Sequence, residues 1–216
     1  ELDFKKKAKK ALEIALEQYP IDLALTLIKI EFLNSSQRFE ESLKALNILN
    51  KFHPNNIDVV LGLGRLYSLM ENNPYAIKYL NHAHDLILLD SSYNDHLHDL
   101  SYEFIQIGKF NSAIKVLKQI LSFKPNDETV MMELGVAYHE SGKFQESVSY
   151  FKEVIDDNPY SHIAWFNLAT IYNVNKDWKE AVFAYEMCLV INEKFTAAHY
   201  GKANSFIHLK EYQKAI

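Results

Sequence analysis

Residues 131–159 read MMELGVAYHESGKFQESVSYFKEVIDDNP, and this stretch decides the fold. From Glu128 to Glu140 the apolar residues Met131, Leu134 and Tyr138 are spaced by three and four, with Val136 between them. That spacing is helical and is not the alternation of a strand. Ser141-Gly142-Lys143 interrupts the pattern. A second amphipathic run follows from Phe144 to Ile155, carrying Val148, Phe151 and Val154. Gly142 suits the left-handed residue that ends a first helix, and Pro159 follows the second helix, where proline cannot continue it.

The same unit recurs along the chain. Pro20 to Pro54 is 34 residues, and so is Pro125 to Pro159. Phe110, Phe144, Trp178 and Tyr212 also fall at 34-residue intervals. Pro54 to Pro125 and Phe39 to Phe110 are both 71, two periods plus three. One three-residue insertion therefore lies between Pro54 and Phe110, with Asp90-Ser-Ser-Tyr-Asn94 as its expected place. It is expected to lengthen the second helix of that repeat or the loop after it. Gly108 stands in the same slot as Gly142. Small residues recur where paired helices must approach closely: Gly64, Ser101, Gly135, Ala169 and Ala203 in the first helix of each pair. Ser42, Ala76, Ala113, Ser147, Ala181 and Ala215 do the same early in the second.

These residues resemble the tetratricopeptide repeat, W-x2-L-G-x2-Y, then A-x3-F, then P. Trp165-x2-Leu168-Ala169-x2-Tyr172 with Ala181-x3-Tyr185 carries the tryptophan. Met131-x2-Leu134-Gly135-x2-Tyr138, Ser147-x3-Phe151 and Pro159 match almost every other slot. Val60-x2-Leu63-Gly64-x2-Tyr67 with Ala76-x3-Leu80 follows, and then Leu97-x2-Leu100-Ser101-x2-Phe104 with Ala113-x3-Leu117 and Pro125. Thr26-x2-Lys29-Ile30-x2-Leu33 departs from the pattern, but Ser42-x3-Leu46 and Pro54 keep its phase. At the start only Ala8-x3-Leu12 and Pro20 are present. The resemblance implies an all-α, right-handed α-solenoid of antiparallel helix pairs. The expected map is a single array over 1–216 without internal boundaries: a lone helix at 3–19, repeats at 23–56, 57–93, 94–127, 128–161 and 162–195, and a truncated repeat at 196–216. Glu1 in place of Met and an end partway through a helical pattern read as a piece of a longer polypeptide.

Composition agrees with a helical chain. Gly and Pro number only 6 and 5 among 216 residues, too few for the turns of a β-rich fold. A net charge of −5 disfavours nucleic acid, which a basic excess usually binds. No apolar run reaches the roughly 18 residues a membrane span requires, so no membrane insertion is expected. Cys188 is alone, so neither an intramolecular disulfide nor a CxxC metal site can form. It sits at a small-residue slot and reads as a buried structural thiol.

Chemistry-bearing motifs are few. His82-Ala-His84 and His96-Leu-His98 are spaced by two, which on a helix puts each pair about 200° apart and prevents chelation as a unit. Lys5-Lys-Lys-Ala-Lys-Lys10 reads as the solvated side of a first helix whose Phe4, Ala8, Leu12 and Ala15 face inward. Gly-rich phosphate loops, HExxH and GxSxG are absent from the sequence. No cofactor or metal is expected, and no catalysis.

In the family it resembles, first helices line a concave face that binds peptides. Since framework residues use the other side of each first helix, phase places Leu61, Arg65, His98, Tyr102, Met132, His139, Phe166, Asn173, Tyr200 and Asn204 on that face. Leu27, Glu31, Ser68, Ile105, Val136, Thr170 and Ile207 fall beside them. The set is aromatic, soft and amide-rich, with few charges. The lysines of the family's carboxylate clamp are missing at the corresponding positions, Met132, Val136, Phe166 and Tyr200, so capture of an acidic C-terminal tail is not expected. The partner is therefore expected to be a protein or peptide. Two other readings remain open: the arm of a larger enzyme, and self-association through the open end around Phe206, Ile207 and Ala215.

Overall fold

The computed structural model describes residues 2–19 and 22–214, with the side chains of 2–6, 8 and 9 excepted. Pro20 and Ala215 lie outside the described residues, as do the side chains of Phe4, Ala8 and three members of the lysine run, Lys5, Lys6 and Lys9. Among the described residues there are helices and turns but no strands.

First helices are α2 (Leu23–Ser35), α4 (Ile57–Leu69), α6 (Leu97–Gln106), α8 (Glu128–Glu140), α10 (His162–Val174) and α12 (Thr196–His208). Second helices are α3 (Phe39–Phe52), α5 (Asn73–Leu89), α7 (Phe110–Phe123), α9 (Phe144–Asp157) and α11 (Trp178–Ile191). α1 spans Leu2–Gln18, within a residue of its expected bounds. Its Leu12, Ala15 and Leu16 are half-buried and its Lys7 and Lys10 exposed.

The three inserted residues lengthen a helix. α3, α7, α9 and α11 each have 14 residues, whereas α5 begins in phase and runs for 17. The loop after α5 has no proline; instead Asp90 accepts a hydrogen bond from Ser92 N–H at 2.9 Å and starts a 3-10 turn, Ser91–His96. α6 is shortened to 10 residues as a result.

The helices group into two compact units, Glu1–Gly108 and Lys109–Ile216. In the first, Ile30, Leu46, Leu49, Val59, Leu63 and Leu66 form a core where α2 and α3 meet α4. Gly64 lets Leu80 close in, since a Cβ on Gly64 would fall 2.6 Å from Leu80 Cδ2. In the second, Phe151, Leu168, Ala169, Ala181 and Cys188 belong to a continuous core. Gly135 plays the same part as Gly64 toward Phe151, and Ser147 Oγ donates to the Gly135 carbonyl at 2.7 Å. Each core buries apolar area that isolated helices of this length could not offset against chain entropy.

Each first helix ends in the same left-handed turn. Gly108 and Gly142 have φ of 68° and 77°, as their slot requires. Gln37, Glu71, Lys176 and Lys210 adopt the same conformation at 56–68° without glycine's freedom. The closing hydrogen bonds repeat too: Arg38 N–H to Leu33 O, Asn72 to Tyr67, Lys143 to Tyr138, Asp177 to Tyr172 and Glu211 to Phe206. At the other end, Asp22, Asn56 and Asp127 cap α2, α4 and α8 by accepting from Leu25, Val59 and Val130 N–H.

Candidate protein-binding surface

The ten residues read from phase divide between the units. In the first unit, Leu61 and Arg65 line a depression of about 250 Å³ with Leu27, Glu31 and Asp99. Leu61 is buried at 7% exposure and serves mainly as core. Arg65 is committed within the chain: its Nε–H donates to Glu103 Oε1 at 2.7 Å, and Asp99 lies 3.7 Å away. Burial works against the guanidinium charge, but the bond to Glu103 and the two carboxylates outweigh it and raise the Arg65 pKa. Glu103 is only 6% exposed, so freeing Arg65 would strand a buried carboxylate. His98 is exposed, as is Tyr102 at 57%.

In the second unit the residues converge. Phe166, Asn173, Tyr200 and Asn204 line one depression of about 520 Å³ between α10 and α12, with Thr170 and Tyr185. The walls are aromatic. Phe166 packs edge-on against Phe195, with centroids 5.0 Å apart, and Tyr200 is 78% exposed. Tyr185 reaches the depression because α12 has Gly201 facing its ring. Asn173 Nδ2–H donates to Ser205 Oγ at 3.1 Å, which orients its amide. Asn204 has no hydrogen-bond partner among the described residues, and its amide is free for a ligand. No charged side chain lines this depression. Met132 packs on the core of the second unit, and His139 is half-buried.

Phase reasoning missed a second depression, on the other side of α10. It measures about 530 Å³ and is lined by Trp165, Leu168, Tyr172, Lys152, Phe183 and Ala184, among others. Phe183 is 58% exposed, although the slot it fills is polar in the four preceding repeats: Lys44, Lys78, Lys115 and Ser149. That departure was visible in the sequence.

Cys188 is buried, and burial pushes its thiol pKa up, against use as a nucleophile at neutral pH. Among the described residues, no three His, Cys, Asp or Glu side chains stand close enough to share a metal ion. None of the described helices is long and apolar enough to cross a membrane.

The repeats, their shared left-handed turns and the amide-lined depression define a helical-repeat protein of the kind that binds other proteins. The chain carries tetratricopeptide repeats: that family's sequence model matches residues 98–162 and 134–187. The fold is the all-α solenoid of that family. It is similar to a tetratricopeptide repeat protein from Parabacteroides merdae ATCC 43184, with 18% identity, 99% of this chain and 86% of that chain covered and a TM-score of 0.68. It is also similar to YrrB, described as a TPR protein with an unusual peptide-binding site, with 17% identity, 93% and 98% coverage and a TM-score of 0.63. MamA aligns with 19% identity over 74% of this chain and 85% of that one, at a TM-score of 0.58. No curated protein matches in sequence.

Proposed function

We propose that this chain is a non-catalytic protein-interaction scaffold that takes an extended peptide or protein segment along the first helices of its second unit, with the Phe166–Tyr200 depression as the main subsite. The observation that carries this reading is the convergence of Phe166, Tyr200, Asn173 and Asn204 around one uncharged hollow. Aromatic walls offer large contact area at low entropic cost, and a free carboxamide can pair with both the N–H and the C=O of a peptide backbone. A hollow without charged lining favours an apolar side chain, because an ion placed there would lose water without a counter-charge. The fold relationship to YrrB, a peptide-binding protein of the same family, is in keeping with it.

The test is substitution. Phe166→Ala with Tyr200→Ala should abolish capture of partners from lysate while circular dichroism stays helical. Unchanged capture by a folded double variant removes this hollow from the binding surface.

A further inference from the structure

The repeats serve as templates for one another, and one of them has lost a part. In the repeat beginning at Glu128, Tyr138 of α8 stacks on Tyr150 of α9, with centroids 5.4 Å apart and planes 16° from parallel. Lys118 of α7 holds its ammonium 5.5 Å from the Tyr138 ring centre. The Tyr138 side chain beside that ammonium is the main cause that raises the Lys118 pKa, and the Lys118 charge also acts on Tyr150. The repeat beginning at Ile57 stacks Tyr67 on Tyr79 in the same way, at 5.7 Å and 8°.

Thirty-four residues after Tyr138 stands Tyr172, and 34 after Lys118 stands Lys152. Thirty-four after Tyr150 stands Ala184. The tyrosine and lysine of the arrangement are kept, while the second ring is cut back to a methyl group. The depression on the outer side of α10 opens beside Tyr172, Lys152 and Ala184. Tyr172 is left with a tilted contact to Phe144, at 6.3 Å.

Alanine opens this place, and the flanking residues set its character. Ala45 occupies the same slot four repeats earlier, and a depression of about 420 Å³ lies beside it too. There the counterparts of Trp165, Leu168 and Phe183 are Thr26, Lys29 and Lys44, a polar lining. Beside Ala184 the lining is aromatic. Trp165 is clamped by its indole N–H, which donates to the Pro159 carbonyl at 3.0 Å. Phe183 meets it edge-on at 6.0 Å and 79°.

We propose that the depression between Trp165, Tyr172 and Ala184 is a docking site for a tyrosine side chain of a partner polypeptide. The ring occupies the place that Tyr150 fills in the preceding repeat, stacked on Tyr172 and bounded by the edges of Trp165 and Phe183. The ammonium of Lys152 faces the electron-rich ring and donates to its hydroxyl oxygen, a charge complementarity that selects tyrosine over an aliphatic side chain. Lys152 with Asp156 and Lys179 with Glu180 leave the rim without net charge, so the partner segment around its tyrosine need be neither acidic nor basic. This site lies on the other side of α10 from the Phe166–Tyr200 hollow and does not depend on it.

The test uses the 216-residue chain labelled with nitrogen-15 and N-acetyl-tyrosinamide as probe. The Trp165 indole N–H resonance, assigned with Trp165→Phe, should shift saturably at roughly millimolar probe, as befits one side chain. N-acetyl-leucinamide should bind at least about tenfold more weakly. Ala184→Tyr, which supplies the ring from within, should remove the response. Phe183→Ser, an exposed change that restores a polar slot and spares the fold, should weaken it severalfold. Tyr200→Ala should leave it intact. A shift that does not saturate, equal binding of leucinamide, a response kept in folded Ala184→Tyr or undiminished in Phe183→Ser, or a response lost in Tyr200→Ala would each overturn the proposal. The last outcome would assign the probe to the Phe166–Tyr200 hollow, so failure here is separable from failure there.

Discussion

The repeats beginning at Glu128 and His162 are built on helices of identical length, 13 and 14 residues, yet they use their shared slots differently. In the first, Gly135 admits the ring of Phe151, and Tyr150 closes the outer surface over Tyr138. In the second, Ala169 holds the glycine's place. Tyr185, the counterpart of Phe151, faces Gly201 of the next helix and borders the inner hollow. Ala184, the counterpart of Tyr150, leaves the outer surface open. The first repeat is covered on its outer side, whereas the second borders a hollow on each side. The difference teaches that the framework slots keep the helices in place while two or three departures from them make surfaces that can bind. Residues at those departures are where function should be sought in a repeat array.

Four sets of substitutions break or sharpen this contrast. The largest effect is expected from Phe151→Ala, which empties a fully buried site in the closed repeat and should lower the unfolding free energy by about 3–5 kcal/mol in urea melts. Tyr185→Ala in the open repeat should cost less, because its ring already borders a hollow; equal losses would erase the distinction. Next comes Gly135→Ala, which imitates the open repeat. The new methyl would meet Phe151 ring atoms at 2.6–2.9 Å, and overpacking should cost about 1–3 kcal/mol, read from the same melts. A neutral or stabilising result would show that Phe151 moves aside freely.

Exchange at the outer slot gives a smaller and opposite pair. Tyr150→Ala should destabilise by about 1–2 kcal/mol, since the ring is half-buried, and should create a hollow like that beside Ala184. Ala184→Tyr should stabilise by about 0.5–1.5 kcal/mol through a new aromatic pair with Tyr172. Thermal melts that fail to move in opposite directions would dismiss the two repeats as templates for each other. Smallest is the turn after the first helix, where Lys176 holds a φ of 68° and Gly142 holds 77°. Lys176→Gly should raise stability by about 1 kcal/mol and Gly142→Lys should lower it by a similar amount, because a side chain at positive φ is strained.

Much of this was legible in the residues themselves. Gly108 and Gly142 announced the left-handed turns, while Gln37, Glu71, Lys176 and Lys210 share that backbone without announcing it, because the closing hydrogen bonds impose the turn whatever side chain is present. The interval of 71 between Phe39 and Phe110 located the inserted residues to one segment, and α5 with its extra turn received them. Of the candidate surface, Phe166, Asn173, Tyr200 and Asn204 line one depression. Arg65 does not stand free, since Glu103 lies 38 positions away in sequence and phase cannot pair them.

The sequence by itself determined the helical phase of the repeats and where most of their turns fall. Those properties depend on spacings of three, four and 34 residues, repeated often enough to be read without neighbours. Only the tertiary structure decided which inward or outward residues are available to a partner. Availability depends on what an adjacent helix supplies: Glu103 claims Arg65, Gly201 makes room for Tyr185, and Ala184 leaves Tyr172 uncovered. Burial belongs to pairs of side chains brought together by packing, and periodicity states only which pairs can meet.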